Sequence, residues 1–549
     1  MSELCYLTIA EAGELIRSKR LSPVELVQAH IERIEALNPV LDAFLLRTTE
    51  LALQQARQAE TEIAAGHWRG PLHGIPFGLK DMFETAGILT TAQSRILANY
   101  VPTHDATVTA KLYAAGAVLM GKLATHEFAH GGPSFDLSRP PARNPWNTGH
   151  FTGGSSSGSG AAVAAGLVAG ALGTDTGGSI RNPSFLCGIV GLKPTFGRVS
   201  RTGVIPFSES CDHVGPMTRT VRDAALMLDV LEGHDARDRA SVAAAPSRAL
   251  AGLDKGVKGL RIGFLRHFSE EDQTCDAELR GAVDAALEVF RQLGAEVEET
   301  RVRSINDYYA VRIMMSEPEL FSLHQKTLQT RTGEYGHHFL SRCLPACLFT
   351  ASDYVNALRE RGRMLAELEP VYQRYDALIS VGNGPAPSLA QHHALGSVDK
   401  WLKPSIGAFC SVTGAPALAI CAGFSQSGLP LGMQIMGRPW EEAMLLRIAH
   451  AYEQATPWHQ RHPEVSRAGR DATHIDLEPH GAAKIDEAYR AHAAIAAGRA
   501  GFDLSDQHMA ILIESTPYAL ALADRVPRQF SYTDEMAPVF SLPGWPHPR

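Results

Sequence analysis

Long apolar runs, clustered basic residues and paired cysteines are all missing from this chain. No stretch approaches the ~18 uninterrupted apolar residues of a membrane-spanning helix. The opening Met-Ser-Glu-Leu-Cys has no basic segment leading into an apolar one. Lys and Arg are scattered and the formal net charge is -8, so the electrostatic footprint of a nucleic-acid binder is absent. The eight cysteines, at 5, 187, 211, 275, 343, 347, 410 and 421, include no C-x-x-C pair. Free, buried thiols in a reducing compartment are the economical reading. These absences predict a cytoplasmic protein with no membrane and no nucleic-acid partner. Internal repeats are lacking too.

What is present is ordinary globular composition, 45% hydrophobic and 20% charged over 549 residues. Thr8 is placed to cap a helix running to Ser18. Ser22-Pro23-Val24-Glu25 has the pattern of a capping box with Pro at the first helical position. A helix is expected over 48–66, and a short buried strand ends at Lys80-Asp81. Helix and strand follow over 104–122, loop over 131–160, and a small-residue helix over 160–173. Strand 260–265, helix 276–293 and strand 296–298 continue the alternation. This order predicts an α/β fold with a large mixed, mostly parallel sheet covered by helices on both faces. The pattern lapses near 470, so residues 1–470 are expected to form the main domain and 471–549 a small helical C-terminal appendage.

The most unusual stretch is Gly153-Gly154-Ser155-Ser156-Ser157-Gly158-Ser159-Gly160, followed by Gly173-Thr174-Asp175-Thr176-Gly177-Gly178-Ser179. A flexible linker is the plain explanation, but the apolar residues Ala161 to Leu172 between the two Gly-Gly-Ser triplets are core chemistry. Glycine lets backbone N–H groups converge, and a serine beside them would have donors ready for a developing oxyanion. No Lys-Ser or Lys-Thr follows either triplet, as a phosphate loop requires. G-x-G-x-x-G is absent and no G-x-S-x-G is centred on Ser155 or Ser179, so a dinucleotide site and an α/β-hydrolase elbow at either serine are unsupported.

The run from Gly153 through Arg181 to Gly188-Ile189-Val190-Gly191-Leu192-Lys193-Pro194-Thr195 resembles the defining segment of the amidase signature family. The likeness includes Gly74-Ile75-Pro76-Phe77-Gly78-Leu79-Lys80-Asp81 and Asn144-Pro145-Trp146 upstream. Downstream it takes in Thr413-Gly414-Ala415-Pro416-Ala417 and Gly428-Leu429-Pro430-Leu431-Gly432-Met433-Gln434, so that it spans about residues 5–460. The resemblance implies Ser179 as nucleophile, Ser155 as bridging serine and Lys80 as base. It also implies an oxyanion hole from the backbone of Thr176, Gly177, Gly178 and Ser179, and substrate contacts at Ala129 and Ser155. Hydrolysis of a small-molecule amide to acid and amine, with no metal or organic cofactor, is the expected reaction. A homodimer is compatible with it.

Lysine acts as a base only when neutral, and its reference pKa is ~10.4. Lowering that by ~3 units penalises the ammonium form by roughly 4 kcal/mol, which burial beside Ile75, Phe77 and Leu79 would supply. Asp81 must point away, since a paired carboxylate would favour the charged form.

Rival readings can be weighed on the residues. His126-Glu127-Phe128-Ala129-His130 matches the H-E-x-x-H of zinc hydrolases. However, Gly131-Gly132-Pro133 ends any helix there, and no third ligand is signalled. Ser397-Val398-Asp399-Lys400 matches S-x-x-K without its companion motifs. A non-catalytic scaffold conflicts with three filled catalytic positions. The closer rival is the glutamine-hydrolysing A subunit of a tRNA-dependent amidotransferase. Such subunits resemble this chain but carry an Asp for free glutamine about where Pro404 stands. Tyr308, Tyr309, Met314, Met315, Phe321, Phe339, Leu344 and Phe349 line either an acyl pocket or a helix core. Arg181 suits a buried ion pair better than a substrate carboxylate. Leu522 to Phe540 resembles small helical accessory subunits of amidotransferases, here fused in cis, and an oligomerisation arm is an equal alternative.

Overall fold

The computed structural model describes residues 3–394, 403–465 and 483–530. Ser397-Val398-Asp399-Lys400 and the last part of the Leu522–Phe540 segment lie outside the described residues. The first helix, Ile9–Arg17, starts at a full capping box: Thr8 and Glu11 each accept the other's backbone N–H. The second, Pro23–Leu41, has Ser22 accepting from the N–H groups of Val24 and Glu25, with Pro23 in its first turn. The expected return bond from Glu25 is replaced, because the Ser22 hydroxyl donates to Glu60 instead.

Eleven strands form one sheet. In chain order they are β1 (Phe44–Arg47), β2 (Pro76–Lys80), β3 (Val118–Leu123), β6 (Gly170–Asp175), β7 (Val190–Lys193), β8 (His213–Thr218), β9 (Arg261–Phe264), β10 (Glu296–Glu299), β11 (Ala377–Val381), β12 (Ala417–Phe424) and β13 (Pro430–Met436). A separate hairpin, β4 (Arg143–Asn144) and β5 (Asn147–Phe151), lies within the segment read as loop. The sheet order is β1-β3-β2-β6-β8-β7-β12-β13-β11-β9-β10. Two parallel blocks, β3-β2-β6 and β11-β9-β10, are joined through antiparallel central strands. Central strands are buried along their length, apart from Phe424 at the end of β12, as continuous apolar runs under helices require.

One element departs from expectation. The small-residue segment 160–173 is not a single helix: the helix Ser157–Ala164 stops, and β6 begins at Gly170. Gly166 takes φ +67°, a left-handed conformation open to glycine, and turns the chain back into the sheet between β2 and β8. The two Gly/Ser loops therefore meet because a strand returns beside the helix.

Within 471–549 the described helices are Glu487–Arg499 and Asp506–Arg525. Ala493, Leu512, Ala519 and Ala523 enter the main hydrophobic core. The pair rests on the long helix Ile305–Arg331 and on His337–Cys343. Gln329 donates to the Ala500 carbonyl at 2.7 Å, Phe502 meets Phe321, and Arg525 pairs with Asp307 at 3.2 Å. Removing residues 471–549 uncovers this apolar face. Burial of the larger side chains there, Ile511, Leu512, Leu522 and Val526, contributes several kcal/mol at ~1.5–3 each, so the truncated protein should melt several degrees lower. An unchanged melting temperature would contradict this packing.

Candidate active site

Lys80 ends β2 inside the sheet, fully buried. Its ammonium nitrogen contacts two hydroxyls, donating to Ser155 Oγ and to Thr174 Oγ1, each at 2.7 Å. Burial pushes its pKa down to about 7, against an opposing pull from Asp212 and Asp175. Asp81 does face away. It pairs with Lys122 at 3.3 Å and accepts from Thr91 Oγ1 at 2.6 Å, so it does not compete for Lys80. Thr174 escaped the sequence reading, although strand alternation carries the signal: in β6, Thr174 faces Lys80 while Asp175 faces the opposite way.

Ser155 lies at the start of the Gly/Ser loop after a cis Gly154–Ser155 peptide. The His126 ring fits directly against Gly154, where an added Cβ would come within 2.1 Å of it. The two loops are tied by the backbone: Ser156 N–H donates to the Ser179 carbonyl at 3.3 Å. Ser179 itself is half-buried, and so more open than Ser155 or Lys80.

One carboxylate shapes the Ser179 loop. Asp175 accepts from Gly178 N–H at 2.8 Å and Ile180 N–H at 3.2 Å, and receives Arg181 through two bonds of 2.8 and 2.9 Å. Arg181 is saturated further by Gln434, Gly407 and Ser411, so it is a buried ion pair and not a substrate ligand. One N–H group of the expected oxyanion-hole set has an acceptor within the protein. The Gly178 N–H is occupied by Asp175, and Gly178 contributes its backbone freedom at φ +121° instead. Among the described residues, Gly177 and Ser179 N–H have no acceptor. Thr176 is fixed through its hydroxyl to Asp212.

The zinc motif fails on geometry. Glu127–Ala129 forms only a single 3-10 turn, with Phe128 and Ala129 at positive φ, so His126 and His130 do not share a helical face. His126 Nδ1 meets the Gly131 carbonyl, His130 Nε2 faces Glu317 at 2.9 Å, and Glu127 holds Ser94 and Gly336 N–H. Among the described residues no three potential ligands cluster. Ala129 is buried beside this turn, its N–H donating to His126. Of the apolar and aromatic residues named from the sequence, Tyr308, Tyr309, Met314, Met315, Phe339 and Leu344 are core residues.

The Amidase family model matches residues 25–446 of this chain. The chain belongs to the Amidase family. It is 38% identical over 490 residues to the A subunit of glutamyl-tRNA(Gln) amidotransferase from Moorella thermoacetica, covering 85% of this chain and all of that one. A chain of an inhibitor-bound vestigial protein complex that reveals the evolutionary origins of an s-triazine catabolic enzyme superposes with a TM-score of 0.76 at 32% identity, over 82% of this chain and 98% of that one. Native peptide amidase from Stenotrophomonas maltophilia gives 0.72 at 30% identity, over 83% and 98%. The chain is thus an amidohydrolase of the Amidase family. The expectation of a small-molecule amide as the only partner, with no nucleic acid, is overturned: the curated relative is named for an amidotransferase of glutamyl-tRNA(Gln). Scattered basic residues misled there, since one member of such a complex can serve it without a basic stripe of its own. No helix among the described residues is long and apolar enough to cross a membrane.

The family's distant motifs converge here. Gln434 of β13 reaches Arg181, and the Asn144 amide donates to the carbonyls of Phe151 and Leu186. Replacing Arg181 with Met strands a buried carboxylate, which should cost about 3–5 kcal/mol. Denaturant unfolding checks this, and a loss below about 1 kcal/mol would contradict the role.

Proposed function

We propose that this Amidase-family enzyme cleaves a carboxamide through an acyl intermediate on Ser179. Lys80 takes the Ser179 proton through Ser155 as Oγ attacks the carbonyl carbon. The oxyanion is held by Gly177 and Ser179 N–H, with Thr176 bracing the loop. The same proton returns through Ser155 to the departing nitrogen, and water then releases the acid by the reverse relay. Ala129 and Ser155 border the bound substrate. One observation carries the reading: a fully buried lysine, held near neutrality, contacts a serine beside the Gly-Gly-Ser loop.

The relatives' name favours a narrower substrate than a general amide, namely glutamine, with its ammonia passed on in an amidotransferase complex. The residue against this narrower reading is Pro404, where an Asp for free glutamine is expected. Residues 471–549 we read as an accessory module fused in cis, because its described helices brace Ile305–Arg331.

A fluorophosphonate probe should label the wild type and not Ser179→Ala. Lys80→Met should lower kcat/KM by about 100-fold or more. Near-normal turnover in either variant would sink the assignment. Glutamine assayed beside aliphatic and aryl amides separates the substrates: glutamine preferred at least about tenfold supports the amidotransferase reading, and the reverse order returns the enzyme to general amide hydrolysis.

A further inference from the structure

β6 ends in Thr174-Asp175, and the chain runs on through Thr176 into the Ser179 loop. Residues two apart in extended backbone share a face, so Thr176 lies on the side of Thr174 and Lys80. The neighbouring strand agrees. Asp175 stands opposite His213 of β8, which puts Asp212 opposite Thr176. Thr176 Oγ1 donates to one oxygen of Asp212. The other oxygen accepts from Phe207 N–H at 2.8 Å and from Ser208 N–H at 2.9 Å. Asp212 therefore joins the Ser179 loop to the segment before β8, on the face where Lys80 ends.

When Lys80 takes a proton, a cation forms against two neutral hydroxyls, those of Ser155 and Thr174. A buried ammonium is costly without an anion within reach. Asp175 serves poorly, because both arms of Arg181 already meet its charge on the opposite face. Asp81, next to Lys80 in β2, is turned to Lys122. Among the described residues that leaves Asp212, which pulls on Lys80 harder than Asp175 does. The other charged groups around the pair are committed or neutral. Arg201 faces Asp212 but is held by Asp238 at 2.9 Å. Burial keeps His126, beside Gly154, uncharged, with its pKa pushed down to about 3. His213 is held uncharged by burial too, and Lys193 of β7 lies on the side of Arg181. Burial raises the Asp212 carboxyl above its usual range, and its three donors work against that rise.

We propose that Asp212 is the counter-ion of Lys80: tied to Thr176, its carboxylate steadies the ammonium that forms as Ser179 attacks. In that step a bond forms between Ser179 Oγ and the carbonyl carbon, and the carbonyl electron pair moves to oxygen. The Ser179 proton passes to Ser155 as the Ser155 proton passes to Lys80, and both return when the C–N bond breaks. Asp212 acts through Thr176 and through space, so it is a positioning residue. The inference rests on the reading of Ser179 as nucleophile and Lys80 as base.

The test follows fluorophosphonate labelling of Ser179 against pH on the full-length enzyme, in wild type, Asp212→Asn, Asp212→Ser and Asp212→Glu. Losing the anion favours the neutral amine, so the midpoint should fall by about 0.5 to 1.5 pH units in Asp212→Asn and Asp212→Ser. Their plateau rates should drop about tenfold, because the lysine is then a weaker base. Asp212→Glu keeps the charge and should hold the midpoint within about 0.3 pH units of wild type. The midpoint is read on the active fraction alone, so a loss of folded protein does not move it. A midpoint unchanged in both neutral variants, or one that falls as far in Asp212→Glu as in Asp212→Asn, overturns the counter-ion. A wild type that does not label at Ser179, or a Lys80→Met that keeps the wild-type rise, fails the catalytic reading instead.

Discussion

The loop that presents Ser179 depends on one buried carboxylate. Asp175 binds two backbone N–H groups of that loop and both arms of Arg181. Through Arg181 it reaches Gln434 on β13 and Gly407, so the second half of the chain is fastened to the turn made by the first. Burying this pair is costly, and the return is a fixed curve of backbone with Gly177 and Ser179 N–H left open. Asp175 also raises the pKa of Lys80, but burial wins, and the lysine stays near neutrality.

Strand alternation explains how so much is packed into few residues. Thr174 and Asp175 are adjacent in β6 and face opposite ways, one to Lys80 and one to Arg181. The same rule separates Lys80 from Asp81, whose carboxylate goes to Lys122. Lys80 and the loop anchor Asp175 are thereby kept apart within a single sheet. The long helix Ile305–Arg331 then closes the site over Gly177, and the C-terminal helices brace that helix from outside.

Much of this was legible in the residues. The Gly-Gly-Ser triplets, the lysine closing β2 and the buried role of Arg181 follow from local chemistry and motif order. The helix expected over 160–173 was not, because Ala-rich sequence suits a helix until a glycine at φ +67° redirects it. The bond from Gly178 N–H to Asp175 was not legible, because sequence shows which N–H groups exist and not which side chain occupies them.

The most direct test of the account is the pH dependence of Ser179 reactivity. A base that must be neutral becomes competent as pH rises through its pKa, so labelling of the wild type should climb and level off with an apparent pKa near 7. Lys80→Met should lose that titration and react slowly throughout. A wild-type rate that is flat or falls between about pH 5.5 and 9, or a Lys80→Met profile that keeps the same rise, would contradict it.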